Sequence, residues 1–209
     1  MKFFKIISRF LSYLLLITFI MINMVQITNS AELKNKIRVQ VENFFDNLNT
    51  LEANFIQVSP SGKISNGKIF LDLPGKLRLD YNQPNNLLIT CKGFWIVIQN
   101  RKLKSTNNIP LSQTSFSILL GNKINFDNKD LIVDLQKTLG IITLKIKLAK
   151  NTQAGELLLE FSDKPFILKK WIIRDIVGDE TTVLIQNTRY NQKLPFTIFF
   201  PDVFPEPNI

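Results

Sequence analysis

Leu33, Ile37, Val41, Phe44, Phe45 and Leu48 recur three or four positions apart, with Phe44 and Phe45 sharing a turn and Lys34, Lys36, Arg38, Glu42 and Asp46 set between them. That spacing gathers the apolar side chains on one stripe and predicts a helix over 32–47. From Leu51 the period changes to two. Leu51, Ala53, Phe55 and Gln57 alternate with Glu52, Asn54, Ile56 and Val58, and Ser59-Pro60-Ser61-Gly62 supplies a turn. In the next run Ile69, Leu71 and Leu73 share one face while Lys68 and Asp72 take the other; Phe70 joins the charged face against the pattern. Pro74-Gly75 turns the chain, and Leu77, Leu79 and Tyr81 then alternate with Lys76, Arg78 and Asp80. The pattern is that of an antiparallel hairpin, apolar on one face and wet on the other.

Further strands are expected over 86–92, 94–99 and 102–106. Pro110 to Leu120 breaks the rhythm, and Leu111, Ser115, Ile118 and Leu119 fit a short helix capped by Asn108 with Pro110 in its first turn. The period of two returns at Ile142, Leu144, Ile146 and Leu148, and again at Leu157, Leu159 and Phe161. Residues 166–176 form a strand in which Lys169-Lys170 suggests a bulge. The runs 180–190 and 195–200 complete the sheet. About ten short strands with two helices predict a mostly β, α+β fold: a barrel, a sandwich or a half-closed sheet.

The N-terminus lies outside this pattern. Lys2, Lys5 and Arg9 precede an apolar run from Leu11 to Val25, and Thr28-Asn29-Ser30 puts small residues after it. This is the order of a secretory signal peptide, expected over 1–30 with cleavage at Ser30–Ala31 or just after. The competing reading is an uncleaved anchor, for which the run is shorter than the roughly 20 residues of a spanning helix. Residues 31–209 are long enough for a single domain with a core. The chain is therefore expected to be exported.

Composition narrows the chemistry. The chain has no His, one Cys (Cys91), 17 Phe, and a net charge of +9. Without His, the Ser-His-Asp, Cys-His and zinc–His arrangements are excluded. No Gly-rich phosphate loop is present. Paired carboxylates could still run a glycosidase, but Asp72, Asp80, Glu156 and Glu160 fall on wet strand faces and Asp179-Glu180 in a turn, which reads better as solvated charge. Counting leaves a Ser–Lys dyad open, though no motif points to one. The expectation is a non-enzyme with no catalytic residues, metal or cofactor. Cys91 reads as a small buried residue. The basic charge lacks regularly interleaved aromatic positions, so nucleic acid is not an expected partner.

Taken in order, Phe55-Ile56-Gln57, Gly67-Lys68-Ile69-Phe70-Leu71, Pro74-Gly75-Lys76-Leu77-Arg78-Leu79-Asp80-Tyr81, Gln83-Pro84, Gly93, Thr114 to Leu120 and Phe196 to Pro201 resemble the periplasmic outer-membrane lipoprotein carrier family, the LolA family. The resemblance implies an incomplete antiparallel β-barrel, a half-barrel, whose apolar concave face is covered by a helical lid. It implies acylated outer-membrane lipoproteins as cargo and an inner-membrane ABC-type releasing transporter as donor. An outer-membrane receptor is a further partner it leaves open, and the protein is expected to be a monomer. Ile69, Leu71, Leu77, Leu79, Tyr81, Val97 and Ile118 are the candidate acyl-chain contacts, each equally suited to plain core packing. Family members often carry an Arg before the hairpin Pro, where it touches the lid; here that residue is Leu73, followed by Pro74, and Arg78 belongs to the opposite face. The resemblance also places Leu77 at the cavity mouth, partly exposed, for the transporter to dock. Two other readings stand beside this one: a half-barrel that binds lipid or glycolipid or senses envelope stress without shuttling lipoproteins, and an exported hydrolase.

Overall fold

The computed structural model describes residues 32–121, 124, 126, 131–148 and 155–204; the expected signal peptide, 1–30, lies outside them. The chain divides into two compact units, Met1–Gln40 and Val41–Ile209. Helix α1 covers 32–47, so its first turns belong to the first unit and its last turns to the second. The second unit holds the whole sheet: β1 (Thr50–Val58), β2 (Ile64–Asp72), β3 (Lys76–Tyr81), β4 (Leu87–Lys92), β5 (Trp95–Asn100), β6 (Ser105–Pro110), β7 (Leu131–Thr138), β8 (Ile141–Leu148), β9 (Glu156–Ser162), β10 (Ile167–Arg174) and β11 (Glu180–Tyr190).

These eleven strands form one sheet in the order β6-β5-β4-β3-β2-β1-β11-β10-β9-β8-β7. Every neighbouring pair is antiparallel. β6 and β7 are the two edges and do not pair with each other, so the barrel is incomplete. Register follows the alternation read in the sequence. Leu51, Leu71, Leu77 and Cys91 stand opposite one another across four strands, as do Ala53, Ile69, Leu79 and Ile89. Past β1 the same face continues through Ile185, Val183, Trp171, Leu159 and Leu144. This is the buried apolar face. Gly67 is what lets it close at one end, where Phe55 and Tyr81 meet edge-on at 5.0 Å. Gly67 pairs with both residues, and a Cβ there would come within 2.9 Å of the Phe55 ring and 2.1 Å of the Asp80 carbonyl oxygen.

Several elements differ from expectation. β7 was not anticipated from the sequence. The expected 102–106 strand is β6, displaced beyond a turn. Asn108 therefore lies in a strand instead of capping a helix, and Pro110 ends that strand. The short helix is a 3₁₀ turn, Leu111–Gln113, followed by α2, Phe116–Leu120. The expected bulge near Lys169-Lys170 is present as a register shift between Leu168 and Lys170.

The final run, 195–200, is not a strand. Phe196–Phe199 is a 3₁₀ turn bounded by the extended residues Pro195 and Phe200, and the segment packs on the second face of β3–β5. Phe199 is buried there. Arg78 donates to the Ile198 carbonyl at 2.9 Å. The Gln99 side-chain amide exchanges two hydrogen bonds with the Asp202 backbone, at 2.7 and 2.9 Å. This covering explains why Leu88, Thr90 and Gln99 are buried although they face away from Leu79. It also accounts for Phe70, which lines a groove with Arg78, Thr197 and Ile198.

Candidate functional site

Two helical elements lie on the apolar face, each held by aromatic or aliphatic packing. In the last turns of α1, Val41 and Phe45 are buried, as is Leu48 just beyond its end. Phe44 meets Phe161, Phe166 and Tyr190 edge-on at 5.1, 5.9 and 5.7 Å. α2 buries Ile118, Leu119 and Leu120 and sets Phe116 edge-on to Trp171 at 6.4 Å. The C-terminal part of the α1 stripe, from Val41 on, and the apolar run Phe116–Leu120 are thus spent on covering the sheet.

The β2–β3 turn grips both elements through its backbone. The Leu73 N–H donates to the Asn49 carbonyl, just past α1, at 2.8 Å; the Gly75 N–H donates to the Leu120 carbonyl, the last residue of α2, also at 2.8 Å. Gly75 has φ +82°, a backbone conformation open to glycine and strained for other residues. The lid contact that the resemblance assigns to an Arg side chain before Pro74 is made here by the backbone at Leu73 and Gly75. Asn191 adds a tether at the other side of the α1–β1 junction. Its Oδ1 accepts from the Asn49 N–H at 2.8 Å and its Nδ2 donates to the Asn47 carbonyl at 2.8 Å.

Between α1, α2 and this turn lies a cavity of about 430 Å³, lined by Phe45, Leu48, Leu73, Pro74, Leu119 and Ile124, with Asp46 and Asn49 at its polar edge. Leu73 and Pro74 were expected from the sequence as lid and hairpin residues, not as cavity lining; Phe45, Leu48 and Leu119 carried only a helix signal, and Asn191 carried none beyond being an Asn after a strand. Ile69, Leu71, Leu77, Leu79 and Tyr81 do share the apolar face, but they lie sealed in the core and do not line the cavity. Ile118 belongs to the lid, not the wall.

Two expectations are corrected. Leu77 is 0% exposed, not partly exposed at the mouth. It stands between Leu71 and Cys91 on the covered face, so it offers no docking surface. Val97 pairs with Thr90, which pairs with Arg78; it therefore lies on the opposite face from Leu79.

The electrostatics sit on that opposite face. Arg78 and Arg101 share the Asp80 carboxylate at 2.6 and 2.5 Å, and Arg101 also reaches Asp202 at 2.6 Å. Burial pushes the Asp80 carboxyl up, but hydrogen bonds from Arg101 and Arg78, with their charges, outweigh it and hold the group below 3.8. On the apolar face burial pushes the Cys91 thiol up to about 11, so it stays an inert thiol. Burial likewise pushes Tyr81 up to about 12, against a hydrogen bond to Gln57. Among the described residues no cluster of acidic or sulfur ligands suits a metal ion, and no helix is long and apolar enough to cross a membrane.

A family model described as outer membrane lipoprotein carrier protein LolA matches residues 46–202. No curated protein sequence matches this chain. Among solved structures, a LolA superfamily protein from Nitrosomonas europaea is similar at 11% identity and a TM-score of 0.42, covering 74% of this chain and 91% of its own. A DUF1329 family protein from Desulfovibrio piger gives 11% and 0.47, over 76% and 92%. An uncharacterized conserved protein from Thermus thermophilus gives 8% and 0.47, over 81% and 95%.

Proposed function

Because the chain belongs to the outer membrane lipoprotein carrier family LolA, we propose that it is a periplasmic carrier that takes the acyl chains of lipoproteins released from the inner membrane and delivers them to the outer membrane. Residues 1–30 address it there, and 31–209 act as one carrier domain without a chemical step. The observation that carries this reading is the cavity of about 430 Å³ where α1 and α2 meet the β2–β3 turn over a continuous apolar face. That volume is at the low end for ligand pockets. A multi-chain lipid anchor needs α1 and α2 to move aside, which exposes Leu71, Leu77 and Leu79 to the ligand.

Energetics favour such an exchange. Each buried methylene contributes about 0.8 kcal/mol, while the lid's own apolar contacts are lost when it lifts. Affinity is the difference, which keeps release possible. The donor is an inner-membrane ABC-type transporter and the acceptor an outer-membrane receptor or the membrane itself. Purified protein added to spheroplasts of its own source tests this: lipoproteins should leave the membrane as soluble one-to-one complexes with the carrier. Capture of lipid alone favours a half-barrel lipid-binding protein that does not shuttle, and no capture removes the carrier reading.

A further inference from the structure

Trp171 is the largest fully buried side chain among the described residues, and its indole N–H is buried without a hydrogen-bond partner. Buried donors in folded proteins nearly always have an acceptor, because leaving one unmade forfeits its solvation. Two other buried polar atoms share this state among the described residues, Thr90 Oγ1 and Tyr190 OH. Thr90 lies on the opposite face, under the C-terminal segment, and the Tyr190 hydroxyl has Thr188 and the Leu168 backbone beside it. Trp171 differs from both. It stands on the apolar face between Leu159 and Val183, whose side chains offer no acceptor.

Its position relative to the lid gives the orphan donor a use. Phe116 meets Trp171 edge-on at 6.4 Å, and Leu119, three residues further along α2, lines the cavity. Side chains three apart are neighbours on a helix surface. A chain that enters the cavity and displaces α2 therefore uncovers Trp171 next. We infer that the Trp171 indole N–H donates a hydrogen bond to the carbonyl oxygen of an ester- or amide-linked acyl group, making it the polar contact of an otherwise hydrocarbon surface. The inference rests on the carrier reading and adds a ligand class to it: acyl esters and amides are preferred over ether lipids of the same length.

Monopalmitoylglycerol and its ether analogue hexadecylglycerol differ at this carbonyl and share chain and head group. Displacement of a bound fluorescent fatty acid from the intact mature protein should show the ester bound about fivefold more tightly than the ether, the worth of one hydrogen bond. Trp171→Phe should erase that preference, bringing the ratio of ester to ether affinity down to about one. Equal binding of ester and ether by the wild-type protein overturns the inference and leaves the carrier reading standing; binding of neither overturns both. A second measurement avoids the variant. With isotope-labelled tryptophan, the Trp171 indole proton should move downfield on adding the ester and not the ether, with the half-exposed Trp95 as internal reference; an unmoved Trp171 signal in the ester complex overturns the inference.

Discussion

Leu77 shows how much a single position depends on what lies over it. Strand alternation places it on the apolar face, and there Leu71, Cys91 and the lid leave it 0% exposed. Leu77→Ala should therefore lower stability by about 2–5 kcal/mol, the range for buried Leu truncations, read as a fall in the urea midpoint. A loss near zero would return Leu77 to the surface. Asp80 is tied to its surroundings by charge. Its folded pKa is depressed below 3.8, so its ion pairs contribute stability that is fully present above the unfolded value and lost as pH falls through the folded one. Below about pH 4 the urea midpoint of the wild-type protein should drop more steeply than that of Asp80→Asn; parallel curves would show that the Arg78–Asp80–Arg101 cluster contributes nothing to folding.

At the level of elements, the β2–β3 turn is a latch made of backbone. Gly75, at φ +82°, presents its N–H to the end of α2. Gly75→Ala should cost about 1–2 kcal/mol through the left-handed conformation alone and should also speed uptake of a fluorescent fatty acid by loosening α2. Stability loss with unchanged uptake would make the turn structural only. The hairpin itself was legible in the sequence because its two faces differ in polarity. β5 was legible as a strand but not in its facing: Ile96, Val97 and Ile98 are all apolar, since the C-terminal segment covers one side and the core the other, so alternation carries no facing signal for Val97. β7 opens on Leu131, Ile132 and Val133, three consecutive apolar residues, and so announces no period. The 196–200 run is apolar but for Thr197 and so reads as a strand, yet Pro195 and Pro201 bracket it, and Phe199 packs onto the sheet's second face instead of joining an edge.

For the whole molecule, the sequence carried the greasy sheet and its helical cover, but not which apolar residues are spent on the core and which border free space. That division depends on where α1 and α2 rest, a tertiary matter that periodicity does not encode. Their resting place closes the face down to a cavity of about 430 Å³, so the account requires that cargo replace lid on the sheet. The most direct measurement is mass spectrometry of the protein purified under non-denaturing conditions from the envelope of its own source, with bound material released by denaturation. The account predicts acylated lipoproteins at up to one per carrier. Protein that emerges with neither lipoprotein nor lipid, from cells in which lipoproteins are being exported, would contradict it.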